Sequence, residues 1–141
     1  MSVFHKVDEF HKKFGLHEVT PAVPQLYESA EMAEFRTTFL AEESEEFGEA
    51  LYRGELVKAV DANLDAIYVA AGNLLLLGIP ADVCEQLYAI VHDRNMAKER
   101  ATGGEDGRST RKSQFDVVKP EGWYPPEELI ASVLVGLGGK P

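Results

Sequence analysis

Apolar residues recur every three or four positions along most of the chain, the repeat of helices with one buried face. Phe4, Val7, Phe10 and Phe14 share one such face, predicting a helix over Val3–Phe14 that Gly15 ends. Pro21 and Pro24 mark a loop. Ser29 is the predicted N-cap of a second, long helix that runs to about Arg53 and closes at Gly54. A third runs from about Glu55 to Leu77. Its second half, from Ala66 onward, is apolar nearly all round, the pattern of a helix buried on every side or held in a subunit interface. Gly78, Ile79 and Pro80 stop that helix and start a fourth, reaching about Arg100. Residues 102–113 are polar and glycine-rich. Gln114 to Val118 reads as a short strand or extended segment, and Pro120, Pro125 and Pro126 exclude helix until a last short one over Glu127 to Leu137. No internal repeat is visible. The prediction is all-α: a four- to five-helix bundle-type domain over residues 1–141. Its core is about 3–100, with a mobile loop at about 101–114 and a tail with a short helix at 115–141.

The second helix carries acids where apolar residues are expected. At about 100° per residue, Met32, Phe35, Phe39, Phe47, Ala50 and Leu51 define one arc. Glu43 and Glu46 fall inside it and Glu42 at its edge, whereas Glu45 and Glu49 fall outside and read as solvent-facing. Asp61 and Asp65, an i,i+4 pair, repeat the pattern on the third helix, on the face of Val57, Leu64, Tyr68, Gly72 and Leu75. Carboxylates gathered on a core face raise one another's pKa and need either buried cations or a metal ion. Arg36 is the one basic residue well placed on the second helix. An all-carboxylate set suits Mg²⁺, or Mn²⁺, better than Zn²⁺, because no histidine or cysteine joins it.

Charge narrows the choice of partner. The 24 acidic and 14 basic residues give a net charge of −10. That excludes the basic footprint of a general nucleic-acid or anionic-membrane binder. The longest apolar run, Ala66 to Ala81, is shorter than the roughly 20 residues a membrane span needs. The N-terminus turns charged at once and has no secretory core, so the expected location is the cytoplasm. The lone cysteine, Cys84, is followed at i+3 and i+4 by Leu87 and Tyr88 and reads as a packing position.

A carboxylate cage that works on phosphates through a metal needs cations from elsewhere. Arg94, Asn95 and Lys98 are neighbours by helical spacing, and Arg108, Arg111, Lys112 and Lys119 follow in the loop and tail. Trp123 reads as an anchor for the tail.

Several stretches now fall into one order. They are Val7-x-x-Phe10-His11, Phe35-Arg36, Glu42-Glu43-x-x-Glu46, Asp61-x-x-x-Asp65-Ala66-Ile67-Tyr68-Val69, Val91-His92-x-x-Asn95-Met96-x-Lys98 and Lys119-Pro120-x-x-Trp123. Together they resemble the all-α nucleoside triphosphate pyrophosphatases, the superfamily of MazG, dimeric dUTPases and phosphoribosyl-ATP pyrophosphohydrolase, in its small phage and bacterial branch. The chain departs from that pattern at Ala62, which stands three before Asp65 where the family commonly has glutamate. Asp61 is the nearest acid.

The resemblance implies hydrolysis of a nucleoside triphosphate, standard or non-standard (dUTP included), to the monophosphate and pyrophosphate. It implies metal ligation by Glu42, Glu43, Glu46, Asp61 and Asp65, and water activation by Glu43 or Glu46. It gives phosphate contacts to Lys98, Arg94 and Lys119, base or sugar contact to Asn95, and a place beside the base to His11 with Phe10. It also implies a homodimer or a dimer of dimers. Two other readings stand beside it: a phosphoribosyl-ATP pyrophosphohydrolase, and a non-catalytic acidic helical interaction protein, which the Ala62 departure keeps open.

Overall fold

A computed structural model describes residues 1–16, 25–101 and 115–138. The expected mobile loop lies almost wholly outside these residues, as do Arg108, Arg111, Lys112, Pro21 and Pro24. Among the described residues there are six helices and one two-stranded ladder: α1 Val3–Phe14, α2 Gln25–Glu28, α3 Ala30–Arg53, α4 Leu56–Leu76, α5 Ala81–Met96, β1 Glu99–Arg100, β2 Val117–Val118 and α6 Glu127–Gly136. The fold class is all-α. No single helix among the described residues is long and apolar enough to cross a membrane.

The caps explain the boundaries. Ser2 accepts from the His5 amide at the start of α1, and Gly15 ends that helix at φ 62°, where a side chain would be strained. Ser29 accepts from the Met32 amide at 3.1 Å, and Gly54 closes α3 at φ 69°. Pro80 precedes α5, and its carbonyl takes the first helical bond, from Cys84 at 2.9 Å. Two expectations are corrected. The fourth predicted helix stops at Met96 rather than Arg100, and Glu99 and Arg100 pair antiparallel with Val118 and Val117. The four-residue α2 was not anticipated.

The chain divides into two compact units, Met1–Glu85 and Gln86–Gly136, with the boundary inside α5. In the first unit α4 packs against α3 and α1. Its buried positions are mostly small, namely Ala59, Ala62, Val69, Ala71 and Gly72, followed by Leu75 and Leu76. Small residues allow neighbouring helices to approach closely. Val7, Leu75 and Cys84 are fully enclosed. The Cys84 thiol donates to the Ile79 carbonyl, and burial pushes it up to about 12, in keeping with a packing position.

The buried line of α3 differs from the wheel. Phe35 and Leu51, expected inside, are 61% and 59% exposed. The buried residues are Arg36, Glu43 and Ala50, spaced by sevens along the helix. Two of the three are charged, so hydrophobicity alone does not reveal this line. α4 is split in the same way: its last turns are buried, but Leu56, Val57, Val60, Leu64 and Ile67 on its first turns are exposed.

Candidate active site

Glu43 is the centre of the acidic cluster. It is buried, and its Oε2 is the one buried side-chain oxygen or nitrogen among the described residues without a hydrogen-bond partner. Its carboxyl is held above the usual carboxylate range, first by desolvation and then by Glu46, Asp65, Asp61 and Glu42 in that order. All five acids singled out in the sequence therefore act on one point. Helix geometry brings them there: Glu42, Glu43 and Glu46 lie within about one turn of α3, and Asp61 and Asp65 are one turn apart on α4, which packs against it.

Burial is uneven within the group. Glu42, Glu46, Asp61 and Asp65 are exposed. Exposure of Glu46 corrects its expected place inside the arc. Ala62, at the departure from the family pattern, is 3% exposed, whereas its neighbour Asp61 reaches the cluster from the open side. No three of these carboxylates offer oxygens within 4.8 Å of one another, as expected of like charges that spread apart.

Arg36 does not neutralise the acids. Its Nε donates to Asn73 Oδ1 at 2.7 Å and its Nη2 to the Val69 carbonyl at 2.8 Å, both on α4. Desolvation pulls this guanidinium below its ordinary value. The arrangement needs Gly72: a Cβ there would lie 2.7 Å from Arg36 Nη2 and 2.8 Å from His11 Nε2. His11 is thus buried on the contact between α1 and α4. Phe10 beside it is 40% exposed and meets Tyr68 edge-on, ring centroids 5.5 Å apart. Tyr68 follows Asp65 by three residues on the same helix face, so this aromatic pair borders the acids. Tyr68 stands in the motif that follows Asp65 and Asn73 interrupts the apolar half of α4, but neither was assigned a role in the site from the sequence.

The predicted phosphate-contacting residues gather in the second unit around Trp123. The indole Nε1 donates to the Arg94 carbonyl at 2.7 Å, which ties the tail to α5. The Arg94 guanidinium stacks 3.8 Å from the Tyr124 ring centroid and lies 5.6 Å from that of Trp123. Lys98 Nζ is 5.3 Å and Lys119 Nζ 4.8 Å from the Trp123 centroid. Lys98 also donates to Asn95 Oδ1 at 2.8 Å. Among the described residues, no carboxylate forms a salt bridge with Arg94, Lys98 or Lys119.

The family model for phosphoribosyl-ATP pyrophosphohydrolase matches residues 7–95. The chain belongs to the phosphoribosyl-ATP pyrophosphohydrolase family. This places it among the MazG-like all-α pyrophosphohydrolases, and its general activity is that of a pyrophosphohydrolase. The stretch matched to the family contains His11, all five acids, Arg94 and Asn95, whereas Lys98, Lys119 and Trp123 lie beyond its end. No curated protein matches the chain.

The residues fit the divalent cation that the family implies. The donors are all carboxylates, the set a hard ion prefers, and the orphaned Glu43 Oε2 is an oxygen that a cation would satisfy.

Proposed function

We propose that the chain hydrolyses a nucleoside triphosphate between its α- and β-phosphates, releasing the monophosphate and pyrophosphate. The observation that carries this reading is the unpartnered Glu43 carboxylate among four further acids. Glu42, Glu43, Glu46 and Asp65 would hold Mg²⁺ or Mn²⁺, with Asp61 completing the set. A cation bound there would supply charge neutralisation at the phosphates and a more acidic bound water. Glu43 or Glu46 takes the proton of the attacking water. Arg94, Lys98 and Lys119 meet phosphate charge, in keeping with their having no carboxylate salt bridge among the described residues. Asn95 contacts base or sugar. The Phe10–Tyr68 pair gives the base an apolar ledge, with His11 behind it.

Phosphoribosyl-ATP is the second substrate reading, and the family match supports it no better than the first. One experiment separates the readings: incubation with Mg²⁺ or Mn²⁺ and a panel of dNTPs, NTPs, dUTP and phosphoribosyl-ATP, with product analysis. Monophosphate plus pyrophosphate from the triphosphates supports the first reading, and selective turnover of phosphoribosyl-ATP supports the second. No turnover with either metal favours the acidic interaction protein. Trp123, the single tryptophan, adds a direct signal. Pyrophosphate is expected to change its fluorescence, and Lys119→Ala to weaken that binding by about tenfold, near the loss of one charge-assisted contact. An unchanged affinity in Lys119→Ala would remove Lys119 from the phosphate site.

The assembly we propose is a homodimer or a dimer of dimers. Its support is the exposed apolar stripe of Leu56, Val57, Val60, Leu64 and Ile67 on α4. Burying each such side chain is worth about 1.5–3 kcal/mol, so a second copy of this chain is the fitting cover. Sedimentation is expected to show at least a dimer. A stable monomer at micromolar concentration would contradict this.

A further inference from the structure

His5, Asp82 and Glu85 converge outside the acidic cluster. Each offers one ligand atom, and the three atoms all lie within 4.8 Å of one another. His5 sits in the first turn of α1, and Asp82 and Glu85 lie in the opening turns of α5, three residues apart and therefore on one side of it. His5 Nε2 is 2.8 Å from Asp82 Oδ1, and His5 Nδ1 is 3.6 Å from Glu85 Oε1.

The ring is held in place from behind. Ser2, the N-cap of α1, puts its Oγ 2.8 Å from His5 Nδ1. When that hydroxyl accepts from Nδ1–H, the Nε2 lone pair points at the Asp82 carboxylate. In that tautomer two acceptors face each other 2.8 Å apart, and a cation, either a metal ion or a proton, lies between them. A metal-ligating histidine usually has its second nitrogen fixed by a hydrogen-bond acceptor, and the Ser2 hydroxyl is placed to act as one. His5 is half-buried, which orders the ring, and Asp82 is open to solvent, which leaves coordination positions for water.

We propose that His5, Asp82 and Glu85 bind a borderline divalent cation, Zn²⁺ being the representative, and that the ion staples α1 to the start of α5. An imidazole beside two carboxylates selects for such ions over Mg²⁺. Ligand atoms around zinc stand about 3.3 Å apart, so His5 Nε2 and Asp82, now 2.8 Å apart, part slightly while Glu85 moves in. The site is independent of the carboxylates on α3 and α4, which take a hard ion, and so does not rest on the proposed activity.

The test is a calorimetric titration of the full chain with Zn²⁺ in excess Mg²⁺, alongside thermal melts. One zinc equivalent is expected. His5→Ala is expected to weaken it at least tenfold and to abolish the zinc-induced rise in melting temperature. Asp82→Asn is expected to weaken it by about tenfold. Glu43→Gln is expected to leave it unchanged. Circular dichroism without zinc checks that the His5 variant folds, and His5→Gln serves as a second variant. Zinc binding that survives in both His5 variants would overturn the proposal. So would no zinc binding by the unsubstituted chain in Mg²⁺, which would leave the three residues as an ion pair.

Discussion

Glu43→Gln is expected to remove turnover while raising the melting temperature of the metal-free protein. The two effects have one origin. Glu43 is buried with an unpartnered oxygen and four acids acting on it, so without a cation its charge opposes folding. Glutamine keeps the shape and removes the charge. Relief of a buried, uncompensated charge is worth about 1 kcal/mol or more, roughly 3–6 °C for a chain of this size. Turnover falls by at least about 100-fold, the scale of losing a metal ligand or general base. The matching control is Glu45→Gln on the solvent side, expected to change either quantity little. A Glu43→Gln protein with full turnover would sink the assignment. One with lost turnover but a lower melting temperature would show that Glu43 has a stabilising partner.

The same carboxyl sets a pH dependence in the metal-free protein. Its pKa is raised on folding, so the native state holds the proton more tightly than the unfolded chain. The stability this contributes is present below the ordinary carboxylate range and is lost as pH rises from there through the raised value. Melting temperatures measured across that window are expected to fall with rising pH, and Glu43→Gln is expected to flatten the profile. An equally steep profile in the variant would assign the dependence to other groups.

Much of this fold was legible because its boundaries are chemical. Gly15, Ser29 and Gly54 cap their helices as the sequence predicts, and Ser2, not singled out there, caps α1. The five acids were legible by spacing, since a helix face can be drawn without knowing its neighbours. The buried face was not. The wheel favoured Phe35 and Leu51, yet the chain encloses Arg36 and leaves both apolar residues exposed. An apolar stripe says that a surface wants cover; it does not say whether this chain or a second copy provides it. Arg36 was noted as a counter-charge for the acids, whereas its hydrogen bonds go to Asn73 and the Val69 carbonyl. No local pattern marks such a pairing across 37 residues. The short ladder between Glu99–Arg100 and Val117–Val118 escaped for the same reason: two-residue strands carry no period.

Gly72 and Gly48 make opposite predictions from the same substitution. Both lie inside helices, where alanine is favoured over glycine by about 1 kcal/mol. At Gly48 nothing lies within 4 Å of an added Cβ, so Gly48→Ala is expected to stabilise by about 0.5–1 kcal/mol. At Gly72 the same methyl meets Arg36 Nη2 at 2.7 Å and His11 Nε2 at 2.8 Å. A free arginine tip would swing aside, but this one is buried and tied to Asn73 and to the Val69 carbonyl. Moving it leaves a guanidinium enclosed without its acceptors, at a cost of about 3–5 kcal/mol by analogy with broken buried charge pairs. The helix preference offsets only part of that. The net expectation for Gly72→Ala is a loss of about 2–4 kcal/mol, measured by denaturant unfolding beside Gly48→Ala. If both variants were stabilised alike, Arg36 would have an alternative seat, and its two hydrogen bonds would not fix the packing of α3 on α4. If Gly72→Ala alone unfolds early, the buried cation rather than the apolar stripe sets that packing, and with it the depth at which Glu43 faces Asp61 and Asp65.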